Sequence, residues 1–346
     1  MNITQWKSEL IFAMSRPEAS KDGIVEFRKN GKLHNIEFPA RIKYYTSGNS
    51  IGKVQLIEYM FEGVKHRPPC DISNGNGKLK DRPALLGYAR DGRISSEYYY
   101  INGLLHRLDG PAYICNEILD FNHQCYHVNG LLHRLDGPAI IGYYPDGNIK
   151  NEQYYVNGVS CIPPSLIKSD KEEPVKIEYY QDGNIENERY LVYDKGVRLD
   201  GNLIISYYSN GIKSHTRYYI IDPDYIPPND GLTSVDYYSN GNIKREEYRV
   251  KHKIHRNCKK GPAIIEYYPD GTIEGEWYYN EGRLYRPYKQ GPSITKYYPN
   301  GKIHLETYYK HSKFHRPIEE GPARRVYDRN GDILSEEYWE NDKLIK

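Results

Sequence analysis

Residues 102–112 read Asn-Gly-Leu-Leu-His-Arg-Leu-Asp-Gly-Pro-Ala, and residues 129–139 repeat this run letter for letter. An identical run at a short distance indicates internal repetition, in which each copy is one supersecondary unit. The dipeptide Gly-Pro, or a weaker form of it, marks ten copies in one register, and the last four steps are each 30 residues. The copies are marked by Gly110-Pro111, Gly137-Pro138, Gly261-Pro262, Gly291-Pro292 and Gly321-Pro322, and more weakly by Phe38-Pro39, Arg82-Pro83, Glu173-Pro174, Gly201-Asn202 and Gly231-Leu232.

A turn motif follows each marker. Nine copies carry a glycine ten residues after the marker, usually within Tyr-Tyr-x-Asp/Asn-Gly, as at 267–271. Asp or Asn followed by Gly is typical of a turn that closes a β-hairpin with a bulge. We expect Tyr267 to pair with Ile273, Ile265 with Gly275, and Ala263 with Trp277. The turn glycines are Gly48, Gly92, Gly147, Gly183, Gly211, Gly241, Gly271, Gly301 and Gly331.

Tyrosines form two rows in this register. The sequence has 37 Tyr against 6 Phe, and tyrosine can pack its ring while its hydroxyl stays hydrogen-bonded. We expect equivalent tyrosines of stacked copies to lie side by side and to hold the copies together. The first row is Tyr44, Tyr88, Tyr143, Tyr179, Tyr207, Tyr237, Tyr267, Tyr297 and Tyr327. The second row is Tyr99, Tyr154, Tyr190, Tyr218, Tyr248, Tyr278, Tyr308 and Tyr338.

Composition narrows the class of protein. The apolar fraction is 38%, which favours small repeated cores over one thick core. The 48 basic and 46 acidic residues are interspersed, so we expect no nucleic-acid partner. The five cysteines are irregularly spaced, which favours a reducing compartment over a disulfide framework. The chain begins with a charged stretch and has no apolar run of membrane-spanning length, so we expect an intracellular protein that is not an integral membrane protein.

His-Arg recurs in front of the marker in five copies, and Tyr285-Arg286 stands at the corresponding place in a sixth; this pair is the candidate site. One histidine per copy, with copies about 10 Å apart, does not bring ligands together around one metal. A role as the joint between copies is the main interpretation, with Arg paired to Asp109 or Asp136 and to loop carbonyls; partner binding or pH sensing is the alternative. The candidates are His66, Arg67, His106, Arg107, His133, Arg134, His255, Arg256, Arg286, His315 and Arg316.

Enzymatic chemistry is not indicated. The sequence has no Gly-Lys-Ser/Thr phosphate loop, no Gly-x-Ser-x-Gly and no His-Glu-x-x-His. Doublets such as Glu246-Glu247 and Glu336-Glu337 point to opposite faces of a strand and do not form a facing acid–base pair. We expect no catalytic residues, no cofactor, no metal and no small-molecule substrate. A cryptic site would need nonrepeating residues, as in the insertions at 60–81 or 158–174.

The first 23 residues are expected to cap an array that runs over 24–346. Trp6, Leu10 and Met14 are spaced for one face of a short helix. A repeat array leaves the edge of its terminal unit uncovered, and a cap protects that edge. The predicted fold class is all-β, an elongated antiparallel array of about ten hairpin repeats.

The motifs Tyr-Tyr-Pro-Asp-Gly and Gly-Pro-Ala resemble MORN-type hairpin repeats. The chain is more similar still to variant repeats in bacterial antitoxin-type proteins, and above all to the His-Arg-x-x-Gly-Pro-Ala families of giant DNA viruses of amoebae. The resemblance covers roughly 24–346 and implies elongated antiparallel sheets that bind proteins and dimerise. The unit of 30 residues departs from the shorter MORN period.

These observations predict a non-enzymatic scaffold or interaction protein that binds another protein or itself, located in the cytoplasm. The viral resemblance gives a concrete form, a structural component in the host cytoplasm or the virion. An antitoxin-like or immunity protein that neutralises a partner is the alternative. A lipid-surface or glycan binder is a further one, although the balanced charge disfavours anionic lipid.

Overall fold

The computed structural model describes residues 22–35, 38–68, 70–71, 79–116, 122–167, 173–194, 197–220 and 231–346. The predicted cap helix with Trp6, Leu10 and Met14 lies outside these residues and stays a prediction. The chain divides into two compact units, residues 1–183 and 184–346. Each unit is built around an antiparallel sheet in which neighbouring strands follow one another along the chain. The all-β fold class predicted from the repeats is therefore confirmed.

The sheet of the first unit has ten strands, each pairing with the next along the chain. Most of these strands are three to five residues long, because each ends at a turn glycine or at the segment before the next Gly-Pro. The strands are Ile24–Glu26, Arg41–Tyr44, Val54–Glu58, Leu85–Tyr88, Ile94–Tyr98, Tyr113–Cys115, Asn122–Cys125, Ile140–Tyr143, Ile149–Gln153 and Lys176–Tyr179.

The sheet of the second unit has eleven strands in the same kind of order. Its early strands are much longer than the others. The strands are Ile185–Asp194, Val197–Tyr207, Lys213–Ile220, Leu232–Tyr237, Ile243–Val250, Ile264–Tyr267, Ile273–Trp277, Ile294–Tyr297, Ile303–Thr307, Arg324–Tyr327 and Ile333–Glu337.

Small hairpins of two-residue strands accompany most copies and were not predicted. Where the structure describes the turn, it lies at Asn-Gly or an equivalent pair with two positive φ angles, such as Asn102 at 51° and Gly103 at 79°. That dipeptide is a strong signal for such a turn. The paired strands are Arg28–Lys29 with Lys32–Leu33, Met60–Phe61 with Val64–Lys65, Cys70–Asp71 with Leu79–Lys80, Tyr100–Ile101 with Leu104–Leu105, His127–Val128 with Leu131–Leu132, Tyr155–Val156 with Val159–Ser160, Tyr279–Asn280 with Arg283–Leu284, Tyr309–Lys310 with Lys313–Phe314, and Trp339–Glu340 with Lys343–Leu344; Lys253–Ile254 pairs with the end of Ile243–Val250.

Four single-turn 3-10 segments complete the described elements, at Gly48–Ser50, Pro164–Leu166, Tyr288–Gln290 and Ile318–Glu320. Three of them lie in the loop that precedes a copy marker.

The turn glycines behave as expected. All nine have φ between 73° and 95°. At Gly271 a Cβ would meet no atom within 4 Å, so the residue is needed for its backbone conformation and not for space.

The predicted hairpin register is right at the turn and wrong beyond it. Tyr267 pairs with Ile273, but Glu266 pairs with Gly275 and Ile264 with Trp277, since a bulge lies between Glu266 and Tyr267. The bulge places two residues opposite one, and shifts every later pair by one position. The same irregularity recurs in the other main hairpins.

The residue after each marker proline is the most deeply buried position of the repeat. This residue is 0% exposed in each described copy that has alanine or serine at the position. Its backbone joins neighbouring strands: the Ala263 N–H donates to the Trp277 carbonyl, and the Ala263 carbonyl accepts from Tyr248 N–H. The fully buried residues are Ala40, Ala84, Ala112, Ala139, Ala263, Ser293 and Ala323.

Ala263→Leu is expected to destabilise the second unit by about 2 kcal/mol, because a larger side chain does not fit a fully closed position. Ala263→Ser is the matched control, since Ser293 fills the same position in the next copy; its cost is expected to stay below about 1 kcal/mol. Urea unfolding followed by circular dichroism measures both. Equal costs for the two variants would contradict this account of the buried position.

Candidate functional site at the joints between copies

Each candidate arginine lies flat against a tyrosine ring. The guanidinium carbon is 3.6 to 4.1 Å from the ring centroid, close enough for a cation–π interaction. A cation–π contact is stronger when it is shielded from water than it is at an exposed site. The pairs are Arg67 on Tyr59, Arg107 on Tyr99, Arg134 on Tyr126, Arg256 on Tyr248, Arg286 on Tyr278 and Arg316 on Tyr308.

The same guanidinium reaches the marker of its own copy. Its Nη1 donates to the carbonyl of the marker proline at 2.9 to 3.3 Å. The glycine before that proline leaves room for the side chain, since a Cβ at Gly291 would lie 2.8 Å from Arg286 Nη1. His-Arg and Gly-Pro are therefore two halves of one joint.

The joints differ in the hydrogen-bond partner of the arginine Nε. In the two identical copies, Nε of Arg107 donates to Asp109 at 2.5 Å and Nε of Arg134 donates to Asp136 at 2.8 Å. In the second unit the corresponding Nε atoms are buried and have no hydrogen-bond partner. They belong to Arg256, Arg286 and Arg316.

The joint histidines link one small hairpin to the next. Nδ1 of His66 accepts the Asn102 N–H at 3.0 Å, and three other joint histidines repeat this contact. The further contacts are His106 with Asn129, His133 with Asn157 and His255 with Glu281.

Two joints depart from this arrangement. Tyr285 stands where the others have histidine, and its ring stacks on His311 with centroids 5.1 Å apart. At the following joint the Nδ1 of His315 is buried and has no partner.

The first tyrosine row is held by glutamates. Its hydroxyls donate to carboxylates of a neighbouring strand, as Tyr297 does to Glu276 at 2.9 Å. Burial, together with that carboxylate, raises the pKa of Tyr297 above its ordinary 10.0. The other described pairs are Tyr179 with Glu152, Tyr207 with Glu188, Tyr267 with Glu246, and Tyr327 with Glu306.

The second row supplies four of the rings beneath the joint arginines, namely Tyr99, Tyr248, Tyr278 and Tyr308. Tyr59 and Tyr126 have the same role, although their copies lack the spacing used to define the row. At the end of the row, Lys346 lies 5.4 Å from the Tyr338 ring. The copies of Tyr154, Tyr190 and Tyr218 lack the His-Arg dipeptide.

A third row was not predicted, although the Tyr-Tyr doublet displays it. The second tyrosine of the doublet donates its hydroxyl to the carbonyl of the first tyrosine one copy further on, as Tyr268 does to Tyr297 at 2.7 Å. This row therefore ties the turns of successive copies together. The other donors are Tyr45, Tyr144, Tyr208, Tyr238 and Tyr298.

The small hairpins of the first unit carry an exposed apolar row. We define this apolar row as Val64, Leu104, Leu131 and Val159, whose exposed fractions are 44%, 50%, 51% and 52%. Each follows a turn glycine, and the first three lie against the turn glycine of the next hairpin. Large apolar groups aligned on a surface are typical of a protein contact site.

The corresponding positions of the second unit are cationic. Lys253, Arg283, Lys313 and Lys343 follow the turns of its small hairpins and are all exposed. Apart from Lys32 in the first small hairpin of the chain, the two units thus present different chemistry at the same position of the repeat.

Within the described residues, no group of three or more His, Cys, Asp or Glu side chains is placed to hold a metal ion. The doublet Glu336-Glu337 is divided between two arginines, Arg325 and Arg324, on opposite faces of the strand. The part of the chain that the structure describes contains no helix long and apolar enough to cross a membrane.

Comparison with known proteins supports the repeat assignment. Residues 140–157, 264–281 and 294–311 match the family described as MORN repeat variant. Each match covers a main hairpin and the first strand of the small hairpin after it, so these three copies are similar to MORN-type repeats. No curated protein matches the chain. A solved structure described as the crystal structure of TcdB2-TccC3-TEV is 12% identical, covering 88% of this chain and 19% of that chain with a TM-score of 0.11.

Arg134→Ala is expected to lower the free energy of unfolding of the first unit by about 2 kcal/mol, because the ring contact is lost and a buried carbonyl is left unpaired. The free energy of unfolding of Arg134→Lys should lie between those of the native chain and Arg134→Ala, since lysine keeps the charge without the planar guanidinium. Arg93→Ala is the control: Arg93 also pairs with an aspartate two residues away, but on the surface. Its cost should be within about 0.5 kcal/mol in urea unfolding. Similar costs at both positions would contradict a structural role for the joint.

Stability is expected to fall as pH rises above 10. A tyrosine whose folded pKa is raised contributes stability that is complete below the unfolded pKa and is lost as the unfolded chain ionises. The combined Tyr267→Phe, Tyr297→Phe and Tyr327→Phe variant should be less stable at pH 8 but lose less stability between pH 9 and 11. Urea midpoints across this range measure the slope, and an unchanged slope in the variant would refute the assignment.

Proposed function

We propose that this chain is a non-enzymatic interaction protein that binds another protein, or a second copy of itself, through the apolar row of its first unit. The observation that carries the proposal is the alignment of half-exposed Val and Leu side chains at one repeated position. Exposing them costs free energy in water, roughly 25 cal/mol per Å² of apolar surface, which a partner would recover. The match to MORN repeats fits a role in protein contacts.

The candidate joint residues support this function indirectly. Their ring contacts and carbonyl bonds fix the small hairpins relative to the sheet, and the hairpins present the apolar row. We assign His66, His106, His133 and their arginines to positioning of the surface and not to direct contact with a partner. Catalysis is not part of the proposal, since the joints repeat one constellation and do not converge on a reacting group.

The concrete form that we propose is a structural component of a virion or of the host cytoplasm. It rests on the resemblance of the His-Arg-x-x-Gly-Pro-Ala motif to viral repeat families. Mass spectrometry of purified particles tests it: stoichiometric amounts would support this form, and absence would remove it while leaving the interaction function in place.

Leu104→Asp combined with Leu131→Asp is expected to abolish partner capture or self-association, because charges replace the centre of the apolar row. A pull-down from the native source with mass spectrometry and light scattering measures both outcomes. Ile149→Asp is the control, since Ile149 is also an exposed aliphatic residue but lies beside a main turn. A monomer with no stoichiometric partner, or a partner retained by the double variant, would contradict the proposal.

A further inference from the structure

A cavity of about 310 Å³ lies at the joint that follows Arg286. Its lining includes three cations, Arg286, Lys289 and Lys310, and the rings of Tyr288, Tyr308 and His315. The residues that line it include no aspartate or glutamate. The cavity is therefore a positively charged, partly aromatic site.

Two polar atoms of the lining residues lack partners. Arg286 Nε and His315 Nδ1 are both buried without a hydrogen bond. Leaving a buried polar group unpaired is unfavourable, and more so when the group is charged. Both residues line the same cavity.

The identical copies of the first unit display the occupant that this guanidinium accepts. There the equivalent arginines, Arg107 and Arg134, donate Nε to Asp109 and Asp136. The short loop Leu-Asp between Arg and Gly delivers the carboxylate. After Arg286 the loop is Pro-Tyr-Lys-Gln, and its 3-10 turn Tyr288–Gln290 supplies a lysine in place of an acid.

We propose that this cavity binds an acidic side chain of a protein partner, whose carboxylate takes the place that Asp109 has at Arg107. The inference rests on the proposed function, because it names what a partner presents at the second unit. Lys289 and Lys310 attract the carboxylate, and Arg286 is already oriented by its ring contact with Tyr278 and its bond to the Pro292 carbonyl. A preoriented guanidinium binds a carboxylate with little loss of rotamer freedom.

Titration of the full chain tests the proposal with a defined probe. The probe is a blocked peptide of alternating Asp and Gly, and its Asn counterpart is the neutral comparison. Binding is followed by NMR of the labelled His315 and Tyr288 rings and by calorimetry. The Asp peptide is expected to bind at least tenfold more tightly than the Asn peptide and to weaken as salt rises. Equal binding of the two peptides, or no binding of either, would overturn the proposal.

Lysine variants place the peptide in this cavity. Lys289→Gln and Lys310→Gln should each weaken binding by about three- to fivefold, as expected for partly exposed charges. Lys313→Gln is the matched control, because Lys313 lies on the same small hairpin as Lys310 but outside the cavity. An equal loss in the control would mean that the peptide binds the general positive charge of the hairpins, and would also overturn the assignment.

A loop exchange separates the cavity from the rest of the surface. Replacing residues 287–290 by Leu-Asp, as in 108–109, should supply the carboxylate internally, raise the unfolding midpoint and abolish peptide binding. Unchanged peptide binding in the exchanged protein would contradict the proposal.

Inorganic phosphate is titrated in parallel, and tighter binding of phosphate than of the Asp peptide would reject a carboxylate ligand. Partner capture that depends on the apolar row but not on this cavity would overturn this inference while leaving the proposed function intact.

Discussion

The stacking of a joint arginine on a tyrosine ring is the contact on which the repeat depends. The guanidinium lies on the ring, donates to the marker proline carbonyl and occupies the space left by the preceding glycine. Copies with a weak marker and no His-Arg, those at Gly201 and Gly231, belong to the part of the chain where strands reach eight to eleven residues. There, backbone pairing extends where the other copies have a small hairpin.

The same joint serves two purposes in the two units. In the first unit an aspartate neutralises the arginine within the chain, and the adjoining hairpins expose aliphatic side chains. In the second unit the loop is longer, the Nε atoms are unpaired and the hairpins expose cations. A repeat can keep its scaffold contacts while it varies the loop and the turn residue, so one chain offers chemically different surfaces on a common frame.

Local signals were sufficient to predict the main hairpins, because a turn glycine with positive φ and period-two alternation act within a few residues. The register was predicted wrongly although the turn motif indicates a bulge, because the predicted pairs did not include the shift between Glu266 and Tyr267. The partners of the tyrosines were also missed: Glu276 and Tyr297 are 21 residues apart, and nothing in one copy identifies the other. The small hairpins, in contrast, were signalled by Asn102-Gly103 and could have been found. The candidate joint residues were found because they repeat, whereas the unpaired Nε of Arg286 required the structure.

A double-mutant cycle on Arg256 and Tyr248 tests this account most directly. The free energy of unfolding is measured for the native chain, Arg256→Ala, Tyr248→Leu and the double variant, and the coupling energy isolates the contact between the two side chains. A half-buried guanidinium 3.8 Å from the ring centroid predicts a favourable coupling of about 1 to 2 kcal/mol. A coupling near zero would show that the two residues stabilise the protein independently, and would contradict the central role of the joint.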